Sequence, residues 1–494
     1  MTRPFSPFRL RVATLLFPPW GLVLLWRSPQ TAGKKLLGTA GILLFGIPYS
    51  AVLVFLLVRF AGLQIEWRGG YLPALTPQRT APDYAALERN RAQNQPAPVT
   101  NAPAVHSDYW NGFRGPNRDG RYDEQLIRTN WPATGLRLLW RQPCGGGYAS
   151  FAVAAGLAFT IEQRRENEVV VAYDVETGRE VWTQSWPAQY REYYSGGGPR
   201  ATPAYANGQV YALGATGELR CLEAATGKIV WAKNILTDTA ASEPTYGVST
   251  SPLVVGDKLI VLTGAERGES VMCYNRHDGK KIWAALDDAT GYASPMLVQL
   301  GGEPQLVICA ATNTIGLRLA DGAERWRVPW RVNNEQMPIA QPVALGTNRF
   351  LLSAGYFTGC VAFEVLPVGD GFTTKQLWRN KNLKNKFSSS VFADGFIYGL
   401  DEDILTCLDA ATGERRWKDG RYGYGQMILA SGHLVVLCGD GDLALVATTP
   451  ERHEERARFP AIHGKTWNHP ALSAGRLLVR NGAEMACFEV AAEK

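Results

Sequence analysis

Three patterns of apolar and polar residues follow one another along the chain. Residues 36–58 form an apolar run of 23 residues without a charge, long enough as a helix to cross about 30 Å of hydrocarbon. Residues 10–26 are apolar too, but Pro18 and Pro19 remove two amide donors and break a straight span. A short helix or a re-entrant piece is expected there. Residues 61–107 hold few large apolar side chains and are punctuated by Pro73, Pro77, Pro82, Pro96, Pro98 and Pro103, as a flexible linker is. Asp83 is placed to cap a short helix running from Tyr84 to Arg91.

The third pattern begins near residue 136: short β-prone runs separated by turns that contain glycine. Residues 202–206, 209–215, 218–224 and 228–234 are four such runs, parted by Asn207-Gly208, Thr216-Gly217 and Ala225-Thr226-Gly227, and they predict a four-stranded antiparallel unit. The unit repeats. A turn glycine is followed four residues later by tryptophan at Gly178 and Trp182, Gly227 and Trp231, Gly279 and Trp283, Gly322 and Trp326, and Gly413 and Trp417. Trp140, Trp378 and Phe459 hold the same place in the remaining copies, and the eight aromatic positions lie 39–52 residues apart, the length of one propeller blade. The last copy has three strands before the chain ends, and its missing outer strand is available at 137–142, around Trp140. Docking that strand closes a ring of eight units and leaves no open sheet edge.

The expected fold is therefore all-β: an eight-bladed β-propeller of four-stranded antiparallel blades over residues 136–491. Ahead of it lie a membrane anchor at 1–60 with a transmembrane helix at 36–58, the linker at 61–107 and a lead-in segment at 108–135.

Composition and charge narrow the function. Apolar residues make up 46% of the 494 and charged residues 19%, which excludes disorder as the main state. Of the formal charge of +6, seven cations (Arg3, Arg9, Arg11, Arg27, Lys34, Lys35 and Arg59) lie in residues 1–59 with no acid. The remainder of the chain is near neutral and has no basic face for nucleic acid. Six of the seven precede residue 36, which places the amino terminus in a bacterial cytoplasm and the propeller in the periplasm or outside the cell. A cleaved signal peptide fits less well, because the apolar run is long and no small-residue cleavage site comes cleanly after it. Cys221, Cys273 and Cys407 each stand six residues before a turn glycine. Equivalent positions in different blades lie beyond disulfide reach, so these thiols are expected as small buried apolar groups.

The pattern A-x-D-x-x-T-G-x-x-x-W at 172–182, nearly matched at 221–231 and 407–417, resembles the PQQ-like (pyrroloquinoline quinone) β-propeller repeat family. The segment Trp110-x-x-Phe113-Arg114-Gly115-Pro116-Asn117-x-Asp119-Gly120 is similar to the start of secreted bacterial members. The resemblance implies tryptophan docking between blades by Trp140, Trp182, Trp231, Trp283, Trp326, Trp378 and Trp417. It also implies one of two functions: a quinoprotein dehydrogenase, or a scaffold such as the propeller lipoprotein of the outer-membrane β-barrel assembly machinery. Fold alone does not choose between them.

Candidate chemistry sits where the innermost strands begin. Ser150, Thr202, Ser251, Ser294, Gln341, Ser390, Gln426 and His469 align across the copies and are expected to ring one mouth of the channel, with Arg200, Lys386, Trp467 and Asn468 beside them. Arg200, Thr202, Ser251, Ser294, Gln341, Lys386, Ser390, Trp467 and His469 are the cofactor-binding candidates; the plain reading is the polar lining of a wet channel. A quinone with three carboxylates needs cations, a hard metal held by oxygens and a carboxylate base. Arg191 and Lys384 add cations, but the ring holds no carboxylate, and Glu243, Asp287, Asp288 and Glu335 lie only on approaching loops. No two cysteines are adjacent and no C-x-x-C-H haem motif occurs. His463 and His469 match no strong metal spacing.

The expectation is a membrane-anchored, extracytoplasmic scaffold that binds partner proteins through its loops, with no cofactor, metal or catalytic residue. Tyr190, Tyr193 and Tyr194 are the candidate contacts. The alternative is a PQQ-dependent dehydrogenase, with calcium, oxidising an alcohol or sugar. In the lead-in segment, Gly115-Pro116-Asn117 and Asp119-Gly120 are expected as simple turns. The sharper alternative has Trp110, Phe113 and Arg114 capping one mouth with the guanidinium inside.

Overall fold

The computed structural model describes residues 7–77, 79–93, 107–192 and 194–492, and the chain divides into two compact units between Arg79 and Thr80. The first unit holds three helices, Pro7–Leu16, Pro18–Trp26 and Ala32–Phe60. The break between the first two falls at Phe17, whose φ of −156° is non-helical, with proline opening the second helix. Tyr49 Oη donates to the Leu16 carbonyl at 2.6 Å and Trp26 Nε1 to Thr39 Oγ1 at 3.1 Å. Ala32–Phe60 has 29 residues, about 43 Å at 1.5 Å per residue, and by length and composition is able to cross a membrane.

The stretch expected as a linker carries structure. Gln64–Glu66 pairs antiparallel with Ala74–Thr76 in the first unit, and Tyr84–Gln93 is a helix of the second. Asp83 Oδ1 accepts from the Ala86 amide at 2.9 Å, the cap that was expected. The helix is fixed on the propeller by buried Leu87, by Asn90 on Gln142 at 2.5 Å, and by the ion pairs Glu88–Arg165 and Arg91–Glu180 at 2.8 Å. Those partners stand far along the sequence, so composition alone suggested a free linker. Pro96, Pro98 and Pro103 lie outside the described residues.

The second unit is an eight-bladed propeller of four-stranded antiparallel sheets. The first strand of each blade lies nearest the axis, and neighbouring first strands touch, including Ala471–Ser473 of blade eight and Ala152–Ala154 of blade one. Blade eight takes its outer strand, Arg137–Pro143, from the front of the propeller, pairing it with Glu484–Glu489. In blade seven a short lead-in strand, Arg121–Tyr122, adds parallel to the innermost strand Gln426–Ala430.

The repeated tryptophans lie in the seams between blades. Trp140, Trp182, Trp231, Trp283, Trp378 and Trp417 donate their indole N–H to carbonyls of Val175, Ala224, Arg276, Leu319, Ala410 and Thr449 in the following blade, at 2.7–3.2 Å. Five of those rings lie directly under a turn glycine: a Cβ built on Gly178 would stand 2.5 Å from the Trp140 ring, and Gly227, Gly279, Gly322 and Gly413 crowd theirs alike. Positive φ and lack of room both demand glycine there. Across the strand pair each indole faces a small residue: Ala172, Cys221, Cys273, Gly316, Ala362, Cys407 or Cys487. That packing explains the recurrent cysteines, which are free and buried.

Trp326 differs. Its N–H goes to Gln305 Oε1 of its own blade at 2.8 Å, and its ring packs on Phe350 and Phe363 of blade five. The third and fourth strands of blade five, Gly359–Val368 and Gly371–Asn380, are ten residues each, so their turn lies beyond the reach of the indole. Phe459, without an N–H, packs beneath Gly135 and against Trp131.

Candidate functional site

Inside the ring the aligned polar residues bond to one another. The amide of Ser150 donates to Thr202 Oγ1, Thr202 to Ser251 Oγ, Ser251 to Ser294 Oγ, Ser294 to Gln341 Oε1 and Gln341 to Ser389 Oγ, all at 2.8–3.0 Å. Ser150 Oγ returns to the His469 carbonyl at 2.6 Å, and Gln426 Nε2 bridges the carbonyls of Phe387 and Trp467 at 3.1 Å. All these side chains are buried. Inner strands that meet side by side near the axis leave amides without ladder partners, and this belt satisfies them. The alignment that put Ser390 in the ring is off by one: Ser389 supplies the belt oxygen, while Ser390 Oγ donates to Asn385 Oδ1 at 2.8 Å.

The innermost strands all run in one direction, so residues preceding the belt stand at one end of the channel and residues beyond it at the other. The lead-in segment fills the latter. Carbonyls of Trp110, Asn111 and Gly120 accept from Val153, Tyr205 and Leu429 of blades one, two and seven at 2.7–2.8 Å. Arg118 donates to the carbonyls of Ser251 and Pro295 at 2.9 and 3.0 Å and to that of Pro252. Arg114 donates to the Ser390 carbonyl at 3.0 Å, Arg121 to that of Phe392 at 3.0 Å, and Phe113 packs edge-on to His469 at 4.9 Å. Seven of the eight blades are touched.

The expectation of simple turns is therefore corrected: the segment is a plug, with Arg114 inside. Arg114 and Arg118 take left-handed φ of 61° and 58°, which coils the segment across the axis and sends both guanidinium groups inward. Burial pushes them down to about 10 and about 9, so both remain charged at neutral pH. His469 is held neutral, well below the usual histidine range, by burial and then by Arg114.

The other end carries a crown of cations and aromatic rings. The Arg200 guanidinium lies over Tyr148, Tyr190 and Tyr246 at 5.2, 5.5 and 5.9 Å. Lys465 Nζ lies over Trp467 at 4.3 Å, and Lys386 Nζ over Tyr356 and Tyr424 at 5.0 and 5.2 Å. Trp467 stacks on Tyr148 at 5.4 Å and meets Phe387 at 4.5 Å, and Phe387 meets Tyr424 at 5.3 Å. Rings from blades six, seven, eight and one thus converge over the mouth. Burial pushes Lys386 down and Glu402 up; Tyr424 Oη donates to Glu402 Oε2 at 3.3 Å.

Of the sequence candidates, Arg200, Lys386 and Trp467 belong to the crown, Thr202, Ser251, Ser294 and Gln341 to the belt, Ser390 beside it, and His469 faces the plug. Tyr190 is buried and donates to the Thr245 carbonyl at 2.5 Å, which removes it as a contact residue. Tyr194 is 61% exposed, and Tyr193 lies outside the described residues. Lys384 is paired with Asp401 and Arg191 is exposed. Tyr148, Phe387, Tyr424 and Lys465 were missed. A signal was present: in five copies the residue two before the aligned belt position is aromatic or arginine, namely Tyr148, Arg200, Tyr292, Tyr424 and Trp467, and Phe387 joins them once Ser389 replaces Ser390 in the belt.

A calcium ion beside a quinone takes six to eight oxygen ligands, and among the described residues no group of three His, Cys, Asp or Glu converges. Asp288 is paired with Arg327 at 2.7 Å, Asp287 accepts from the Gly268 amide, and Glu243 is exposed. The Glu335 side chain lies outside the described residues.

The profile of the family described as outer membrane protein assembly factor BamB matches residues 165–419, just over half of the chain. The chain belongs to this PQQ-like propeller family. Among solved structures, BamB from Moraxella catarrhalis is similar at 15% identity with a TM-score of 0.51, covering 73% of this chain and 99% of its own. Quinohemoprotein alcohol dehydrogenase from Comamonas testosteroni is similar at 13% identity with a TM-score of 0.53, covering 83% and 85%. The computationally designed Ika8 protein is similar at 10% identity with a TM-score of 0.51, covering 72% and 100%. At such identities the likeness is one of fold, shared by family members with different functions. No curated protein matches the sequence significantly.

Proposed function

We propose that this protein is a membrane-anchored, extracytoplasmic scaffold whose propeller binds a partner protein at the crown. The observation that carries the reading is the filled mouth. Tyr148, Phe387, Tyr424 and Trp467 meet there at ring separations of 4.5–5.4 Å, so the axis ends in a packed aromatic and cationic surface, the composition that anchors protein interfaces. Tyr194 and Phe357, 61% and 56% exposed, stand at its rim beside Ser195 and Tyr356. Of the crown cations Lys386 and Lys465 are buried, and the half-buried Arg200 suits an acidic segment of the partner. The apolar helix Ala32–Phe60 and the cations ahead of it support anchoring with the propeller outside the cytoplasm, and membership of the BamB-type family supports a scaffold.

The competing reading, a quinoprotein dehydrogenase, rests on the shared fold and the crown cations. Adding PQQ and calcium to the purified chain separates the two. The expected result is no dye-linked oxidation of alcohols or sugars. A quinone absorbance retained with the protein, together with such activity, overturns the scaffold reading.

A further inference from the structure

The short hairpin that follows the apolar helix of the first unit is inside out. Ile65 stands opposite Leu75, while Gln64 stands opposite Thr76 and Glu66 opposite Ala74. Opposed residues share a face of the sheet and successive residues alternate between faces. Ile65 and Leu75 are 47% and 39% exposed on one face, whereas Glu66 and Thr76 on the other are buried. Arg68 joins those two, donating to Glu66 Oε2 at 2.9 Å and to Thr76 Oγ1 at 3.4 Å. A half-solvated antiparallel sheet in water does the reverse, turning its apolar side inward. The connecting turn adds Tyr71 and Leu72, 63% and 82% exposed.

The path of the chain says what meets this face. The last turns of Ala32–Phe60 expose Leu53, Phe55, Leu56 and Phe60. Gly62, at a φ of 68°, then turns the chain back, and the Leu63 amide donates to the Leu57 carbonyl at 3.2 Å. Leu63 is thereby held level with the last turns of the helix, and Ile65 follows within about 7 Å of extended chain. The exposed apolar surface of the hairpin thus runs on from that of the helix. Trp67 and Tyr71 are residue types that settle where acyl chains meet headgroups, and exposed Arg59 is long enough to reach the headgroups from the helix end.

We propose that the hairpin is an interfacial foot: its Ile65–Leu75 face and its Tyr71–Leu72 tip lie in the boundary between headgroups and acyl chains of the bilayer, on the side where the helix emerges. This rests on the anchoring reading given above. The bilayer takes the apolar face out of water and leaves the Glu66–Arg68 pair on the side away from the lipid.

The test uses the full-length chain in liposomes of phosphatidylethanolamine and phosphatidylglycerol. The native cysteines are buried, so bimane attaches to a cysteine introduced by Ile65→Cys or, within the helix, by Leu44→Cys. The label at position 65 is expected to lose the greater part of its fluorescence to lipids that carry a nitroxide on the headgroup, and the label at position 44 to lipids that carry it deep in the acyl chain. Should Ile65→Cys disturb the hairpin, Leu72→Cys at the tip is read in the same way. Quenching at position 44 without any at the hairpin overturns the foot and leaves the anchor standing, whether iodide in the water quenches the hairpin label or another protein surface shields it. No quenching at position 44 overturns the anchoring reading and the foot with it.

Discussion

Trp140 faces Cys487 across paired strands of blade eight, so the first strand of the propeller completes its last blade. The same indole donates to Val175 of blade one at 2.7 Å, and one side chain thereby joins the closing blade to its neighbour. Trp140→Ala removes a buried ring and that bond at the closure seam. A loss of about 3–5 kcal/mol is expected, read as a lower urea midpoint with an unchanged slope.

Gly178 presses on that indole from blade one. With φ of +69° and no room for a Cβ, Gly178→Ala suffers both backbone strain and a collision, whereas Gly208, at φ +79°, has nothing within 4 Å. Gly208→Ala is expected to cost about 1–2 kcal/mol for the left-handed conformation alone. Gly178→Ala should cost clearly more, and a Trp140→Ala background should narrow the difference, as a double-mutant cycle will show.

These seams were readable from sequence because Trp182, Trp231, Trp283 and Trp417 recur at one offset from a turn glycine, and a missing fourth strand in the last copy pointed to Trp140. Short-range periodicity carries no such record of the plug. Arg114 and Arg118 bond carbonyl oxygens of residues remote in sequence, which any side chain type can precede, so nothing local marks them. The belt was legible as a set of positions but not as a bonding pattern, and in blade six two adjacent serines made Ser389 and Ser390 interchangeable by eye. The crown rings were visible one at a time; only the shared offset from the belt reveals them as one surface.

Arg480 provides a second closure device, one that no local pattern marks. Fully buried, it donates to Thr160 Oγ1 at 2.6 Å and to the Gly145 carbonyl at 2.9 Å, and stands 3.7 Å from Glu162, itself paired with Arg164 at 2.5 Å. Arg480→Met leaves Glu162 short of a partner across the seam of blades eight and one. The expected cost is about 3–5 kcal/mol, and Glu162→Gln in the same chain should restore part of it.

Glu168 makes stability depend on pH. Its oxygens accept from the Ala215 amide at 2.8 Å and Trp186 Nε1 at 3.1 Å, yet burial dominates and pushes the carboxyl up to about 7 from 4.5. Between those values the folded chain holds a proton that the unfolded chain has released, so this contribution is full below about pH 4.5 and is lost as pH rises through about 7. Glu168→Gln should flatten the decline by up to about 3 kcal/mol, measured by denaturant unfolding from pH 4.5 to 8 against the unaltered chain.

A crown that binds a partner protein will be captured with it by photo-crosslinking in intact membranes. A photoreactive residue is placed at Tyr194 or Phe357 on the crown rim, or at Leu126, which is exposed next to the plug end. Discrete adducts with a single protein from Tyr194 and Phe357, weakened by Arg200→Glu and absent from Leu126, are the predicted result. Adducts from Leu126 alone, or none from either crown position, would contradict it.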